Sequence, residues 1–244
     1  MLRENWTAPF VITFLAAICS PAQVQPDLPR LADGHPDFNG VWSGRGHASL
    51  SSDLPGGLPP FTDAGKAAFA AVKNQYDPTG FCLFPGVTRL TNSPYPIEIV
   101  QTADRVAILY EYMRTFRVIP TDARKHSDDP NPSFFGESVG KWEGDTLIAD
   151  VIGFNDRSWL DAAGHPHTEA LHLIERYHLI DAQHLSYEVT IDDPKFYSQL
   201  WKSSMIFTRK PSWEIIEYSC DENNKDRDQH HFQPGPSYPP VRRD

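Results

Sequence analysis

The feature that most constrains the fold is a hairpin pattern that occurs four times between residues 96 and 220. Each copy joins two runs rich in β-branched and aromatic residues through a short polar connection, and the four connections are TAD, EGD, DAQ and KPS. Runs separated by such tight turns are typical of consecutive β-hairpins. With the run RTFRVIP (114–120), the pattern predicts a mainly β fold, an antiparallel meander of about 8–9 strands. We expect it to close into a barrel because closure removes exposed strand edges, with an open sandwich as the alternative.

The segment before this pattern contains a leader and an arm. Residues 1–22 have the features of a signal peptide: an arginine, an apolar core too short to span a bilayer, and small residues before a cleavage point after Ala22. We therefore predict export to the periplasm or the cell exterior, with a retained anchor as the alternative. Residues 23–60 are rich in Pro and Gly and predict a wrapping arm with an edge strand at FNGVW (38–42), and we place the whole arm at residues 23–92.

One short helix is predicted within this arm, followed by the barrel and a tail. The helix is expected from Asp63 to Tyr76, where apolar residues recur at helical spacing after Thr62, a suitable N-cap. Residues 93–220 are predicted to form the barrel domain. Residues 221–244 are polar and rich in Pro, so we expect a flexible tail.

The charge of the chain limits its partners. The formal net charge is −10, and lysine and arginine form no cluster. Nucleic acids and anionic membrane surfaces both require basic patches on the proteins that bind them. We therefore predict no nucleic-acid partner and no docking on an anionic membrane. Separately, we expect no integral membrane segment once the leader is removed, and a small apolar or aromatic molecule as the partner.

The cysteines agree with export. Removal of the leader would remove Cys19 and leave Cys82 and Cys220, an even pair for an oxidising compartment. We predict a disulfide between them, which would add on the order of 4–5 kcal/mol to stability by closing a long loop. Two buried free thiols are the alternative.

The stretch GHPHTEALHLIERYHL (164–179) contains four histidines. With the period of a strand, one face carries His172 and Arg176 among isoleucines, and the other carries Glu175 among leucine and tyrosine. We predict that the His172 face lines the barrel cavity, where polar groups in apolar surroundings would form a site. If the other face is the core, Glu175 must be paired there, and an arginine is its natural partner.

A long polar loop, residues 153–170, precedes this strand and brings further polar groups to one mouth of the barrel. A histidine beside a carboxylate in a partly dry pocket is suited to acid–base chemistry near neutral pH. The predicted catalytic residues are His172, His167, Asp156, Asp161 and Arg176, and the predicted ligand-binding residues are Asn155, Trp159, His165, Tyr110 and Trp142. Structural packing alone is the alternative for each of them.

A metal site is the weaker alternative. His165 and His167 are two residues apart on an extended segment, so both rings can face one side, as in some zinc sites. The chain contains no HExxH or CxxC motif. We therefore predict no cofactor and keep a metal at His165 and His167 as an alternative.

Three segments give the chain a family resemblance. They are DGHPDFNGVW (33–42), SPYPIEIVQTADRVAILYEY (93–112) and GESVGKWEGDTLIADVIGFNDRSWLDAAGHPHTEALHLIERY (136–177). The chain resembles a family of exported bacterial proteins of unassigned activity that carries the motifs SPYPxEIVQTxDRV and WEGDTLxxDxxGFNDRxWLDxxGxPH, with Thr168 here where the family has Ser. The resemblance implies export and a β-rich fold and, more loosely, a calycin- or lipocalin-like barrel. That wider group includes carriers of apolar ligands and a few cofactor-free isomerases, lyases and decarboxylases.

Three functions remain open on the sequence. The first is an exported β-barrel that holds a small apolar or aromatic molecule and acts on it as a cofactor-free acid–base isomerase, lyase or hydrolase. The second is a carrier without catalysis, or an envelope-interaction protein. The third is a metal-dependent hydrolase. The sequence does not discriminate whether the protein is an enzyme.

Overall fold

The fold is mainly β, as predicted, in a computed structural model that describes residues 28–72 and 77–222. Within these residues the strands are β1 (Gly40–Gly44), β2 (Ile97–Gln101), β3 (Arg105–Tyr110), β4 (Thr115–Pro120), β5 (Glu137–Glu143), β6 (Thr146–Ile152), β7 (His172–Leu179), β8 (His184–Asp192) and β9 (Trp201–Arg209). Two α-helices, α1 (Asp63–Ala71) and α2 (Val87–Thr91), precede β2. The predicted signal peptide and almost all of the predicted tail lie outside the described residues.

The strands form a single antiparallel sheet that curls into a nearly closed barrel. Consecutive strands pair from β1 to β4 and from β5 to β9, and β9 then pairs with β1. The predicted edge strand is therefore an internal strand, because β1 has a partner on each side. The sheet has its seam between β4 and β5, where Gly140 lies so close to β4 that a Cβ atom there would be 2.8 Å from Cγ2 of Ile119.

The alternation of burial along β7 shows which face lines the barrel. The inward residues are Leu173, Glu175, Tyr177 and Leu179, and the half-buried outward residues are His172, Ile174, Arg176 and His178. The prediction that the His172 face lines the cavity is therefore wrong. The inward face carries the larger apolar surface, and burial of that surface determines which face of the strand points inward. The same orientation also buries the carboxylate of Glu175.

The two helices lie in the arm before β2. The Thr62 hydroxyl caps α1 by accepting a hydrogen bond from Gly65 N at 3.0 Å, as predicted. The helix ends earlier than predicted, at Ala71, because Val72 already has an extended backbone with ψ of 132°. The short α2 was not predicted, since five residues are too few to show a helical period.

The predicted disulfide joins Cys82 and Cys220. The two cysteines are 138 residues apart, so the crosslink adds up to about 5 kcal/mol in the chain-entropy account. Cys220 belongs to the segment 210–222 that follows β9, which runs over the surface with many exposed residues. That segment also contacts the barrel through Lys210 N, which donates to the Val41 carbonyl at 2.8 Å, through Tyr218 packed against the core, and through the exposed pair of Arg114 with Glu217. The disulfide adds a covalent attachment to these contacts.

A buried ion pair crosses the inside of the barrel. Arg117 on β4 donates to Glu175 on β7 at 2.5 Å, and both side chains are almost fully buried. The prediction that an inward Glu175 would pair with an arginine is confirmed. The Tyr177 and Tyr187 hydroxyls also donate to Glu175, at 3.0 and 2.9 Å. Burial by itself lowers the pKa of Arg117, but Glu175 and nearby tyrosines raise it well above its ordinary value, so the guanidinium stays charged.

We expect Glu175→Gln to lower the free energy of unfolding by roughly 3–5 kcal/mol, because it leaves the buried charge of Arg117 unpaired. Glutamine keeps the volume and an oxygen that can still accept from Tyr177 and Tyr187. The double variant Arg117→Met/Glu175→Gln removes both charges and should be less destabilised than the single variant. Urea denaturation followed by tryptophan fluorescence measures both effects. Wild-type stability of Glu175→Gln would contradict this role.

Candidate functional site

An aromatic-lined cavity lies at one end of the barrel, where β1 and β3 end and β2 begins. Its volume is about 430 Å³. Five parts of the chain meet there: the loop after β1, the end of α2, the turn after β3, the β6–β7 loop and the segment after β9. The lining residues are 46–48, Arg89, 92–95, Tyr112, 161–162 and Tyr218, and we call this space the tyrosine cavity.

Three tyrosines give the tyrosine cavity its aromatic wall. Tyr95 and Tyr112 stack with ring centroids 5.1 Å apart and planes 5° from parallel. Tyr218 meets both rings edge-on, at 5.4 and 5.3 Å. Burial raises the pKa of Tyr218 to about 12 and also raises the pKa of Tyr112, so both hydroxyls stay protonated at neutral pH. The wall is therefore uncharged and offers flat π surface with hydroxyl donors at its margin.

One polar atom of the wall is buried without a partner. Asn92 is 6% exposed, and its Nδ2 donates to the Thr88 carbonyl at 3.2 Å. Its Oδ1 has no hydrogen-bond partner among the described residues. A buried acceptor without a donor is costly, so this oxygen is suited to a bound donor, either a water or a ligand N–H or O–H group.

The basic and acidic groups of the wall, Arg89 and Asp161, already have partners within the protein. Arg89 donates to both oxygens of Asp77, at 2.8 and 2.7 Å. Asp161 is fully buried and accepts from Leu50 N at 2.8 Å, and its Oδ2 lies 2.6 Å from Nδ1 of His165. Both groups are therefore engaged away from the space of the tyrosine cavity.

His165 continues this contact away from the tyrosine cavity. It is 1% exposed and lies among aromatic rings, stacked on Phe69 at 4.8 Å and tilted against Phe61. Its Nε2 and the Nε1 of the neighbouring Trp201 both have no hydrogen-bond partner among the described residues. Sequence analysis predicted His165 and Asp161 in the site, and the structure brings these two together, with Asp161 at the wall and His165 behind it.

The predicted catalytic histidines lie apart from each other. His167 is buried in the β6–β7 loop, where Nε2 lies 2.9 Å from the Ser158 hydroxyl and Nδ1 lies 3.2 Å from the Thr168 carbonyl. A carbonyl can only accept, so Nδ1 carries the proton and Ser158 donates to Nε2. Burial lowers the pKa of His167, so the imidazole is neutral. The cavity beside it holds only about 10 Å³, too little for a substrate.

His172 lies on the outer surface of the barrel. Its Nε2 is 3.0 Å from Oδ1 of Asp150, and His126 approaches the same oxygen at 3.0 Å. Nδ1 of His126 lies 3.2 Å from Glu137. Arg176, two rows further along β7, lies 3.7 Å from Glu143. The structure therefore does not bring His172 or Arg176 to the tyrosine cavity.

The remaining predicted residues are dispersed. Asp156 is exposed, and Asn155 accepts from Arg157 N within the loop at 3.1 Å. Trp159 is half-buried beside the small cavity at His167. Tyr110 is buried inside the barrel, with its hydroxyl 3.4 Å from that of Thr91. Trp142 stacks on His35 at 4.4 Å.

The weak metal candidates do not share a site. His165 contacts Asp161, whereas His167 contacts Ser158, so the two imidazoles have separate surroundings. Among residues 28–72 and 77–222, no group of three or more His, Cys, Asp or Glu is placed to hold a metal ion. The same residues include no helix with the length and apolar content of a membrane span.

Comparison with known proteins identifies no relative from which the function of the site could be inferred. No protein-family model matches the chain, and no curated protein matches it.

Sequence analysis missed the tyrosines and Asn92. A signal for two of them existed in the first hairpin, where Ile97 pairs with Tyr110. Extending that register by two residues on each strand places Tyr95 opposite Tyr112. Tyr218 and Asn92 had no such signal, because tertiary contacts of irregular segments bring them to the wall.

The neutral, buried state of His167 predicts a pH dependence of stability. Its folded pKa is lowered, so the unfolded chain takes up the proton first as pH falls below the ordinary value of about 6.5. This contribution to stability is present above that pH and is lost as pH falls. We expect His167→Asn to show a smaller difference in unfolding free energy between pH 7 and pH 5 than wild type. Equal differences in urea denaturation would contradict the assignment.

Proposed function

We propose that the protein is an exported β-barrel that binds a small aromatic molecule in the tyrosine cavity. The observation that carries the proposal is the parallel pair Tyr95 and Tyr112 with Tyr218 edge-on, around a cavity of about 430 Å³. Ligand sites are typically concave and apolar, with a few polar groups that fix orientation. Here the tyrosine rings supply the stacking surface.

Export is supported by the disulfide and by the sequence of the leader. Disulfides such as Cys82–Cys220 persist in oxidising compartments and are rare in the cytosol. The family resemblance, which also implies export, includes the segment 93–112 that contains Tyr95 and Tyr112.

A carrier without catalysis fits the arrangement better than an acid–base enzyme. Asp161 is the predicted catalytic residue that reaches the tyrosine cavity, and its oxygens are already engaged by His165 and Leu50. His172 and His167 lie elsewhere, on the outer wall and inside the β6–β7 loop. The binding function needs only the contacts described above.

Titration with the fluorescent probe N-phenyl-1-naphthylamine tests the proposal. Wild-type protein should bind it saturably at one site. Tyr95→Ala and Tyr218→Ala should each weaken binding roughly tenfold, because each loses about 1.4 kcal/mol of aromatic contact. Phe116→Ala is the matched control, since Phe116 is an aromatic residue 62% exposed on β4 that does not line the tyrosine cavity. Absence of saturable binding, or an equal loss in the control, would overturn the proposal.

A further inference from the structure

An open groove of about 810 Å³ runs beside the tyrosine cavity along β1, β8 and β9. It is lined by the chain from Ser43 to Arg45, by His47, and by residues of β8 and β9 with Lys210 just beyond. His47 lines both the groove and the tyrosine cavity, so the two spaces meet at this residue.

The groove has a cationic lining without acidic residues. Arg45, His47 and Lys210 are its ionisable residues. No ion pair among the described residues involves any of the three, and we call this space the cationic groove. The local charge is opposite to that of the chain, whose net charge is −10.

Nearby acidic groups already have other partners. On β8 and the turn before it, Glu188 lies 2.8 Å from Lys202, and Asp181 lies 2.9 Å from His184. These carboxylates are therefore engaged outside the cationic groove. Hydroxyl groups complete the lining, from Ser43, Ser186, Ser204 and Thr208. Guanidinium, ammonium and hydroxyl donors together are the set that recognises a carboxylate, sulfonate or phosphate group.

We propose that the ligand is an aromatic anion, with its ring in the tyrosine cavity and its acidic group in the adjoining end of the cationic groove, beside Arg45. This inference rests on the proposed function and names the chemical class of its ligand. Arg89 at the tyrosine cavity is already paired with Asp77, so the cationic groove determines the charge preference.

Two probes that differ by one anionic group test the inference. N-phenyl-1-naphthylamine is neutral, and 1-anilinonaphthalene-8-sulfonate is the same ring system with a sulfonate. Wild-type protein should bind the sulfonate about tenfold more tightly at low salt, because charge-assisted hydrogen bonds add to the ring contact. Added sodium chloride should reduce that preference and leave binding of the neutral probe unchanged.

Variants of the cationic groove complete the test. Arg45→Gln/Lys210→Gln should abolish the preference for the sulfonate and keep affinity for the neutral probe. Lys202→Gln is the matched control, because it removes an exposed cation from β9 that is paired with Glu188. A neutral probe that binds, with no sulfonate preference or with a preference unchanged in the double variant, overturns the inference and leaves the proposed function intact. Failure of both probes to bind overturns both.

Discussion

The ion pair between Arg117 and Glu175 is the interaction on which closure of this barrel depends. Between β4 and β5 the sheet lacks its ladder of backbone hydrogen bonds, so the two halves meet there through side chains. Along one inward row, Gly140 of β5 pairs with Ala149 of β6, which pairs with Glu175 of β7. Gly140 has no side chain and Ala149 has only a methyl group. The Arg117 guanidinium from β4 therefore has room to reach the Glu175 carboxylate across this row. A buried charge pair of this kind tolerates few alternative arrangements, so it specifies how the seam closes.

Much of this fold could be predicted from the sequence because its hairpins are local. Turns with short polar connections and period-two runs gave the strand number and the antiparallel order. The position of β1 could not be predicted, since its pairing with β9 joins parts of the chain more than 150 residues apart. The inward face of β7 was predicted wrongly because the polar residues His172 and Arg176 were given more weight than the apolar area opposite them. The pairing of Glu175 with an arginine was predicted correctly, because a carboxylate on the inward face has to be paired with a cation.

In contrast to the fold, little of the candidate site could be predicted from the sequence. Clusters of ionisable residues in the sequence drew attention to the β6–β7 loop, and the structure uses several of them as internal supports: Asp161 holds the loop to Leu50, and His167 accepts from Ser158. Histidine and aspartate are as effective in such structural networks as in catalysis, so composition cannot separate the two uses. The aromatic wall comes from tyrosines in three separate segments. Of these three, only Tyr95 and Tyr112 could have been predicted as neighbours, from the register of the first hairpin.

The disulfide has a consequence for the tyrosine cavity. Tyr218 is two residues before Cys220, so the crosslink that attaches the last described segment also fixes one wall of the cavity. A chain with two free thiols would keep the stacked pair of tyrosines and the edge-on packing of Tyr218, but it would lose the covalent link two residues beyond that ring. Oxidation of the cysteines therefore secures one wall of the tyrosine cavity, and the compartment that supplies the oxidant is the one in which that wall becomes covalently fixed.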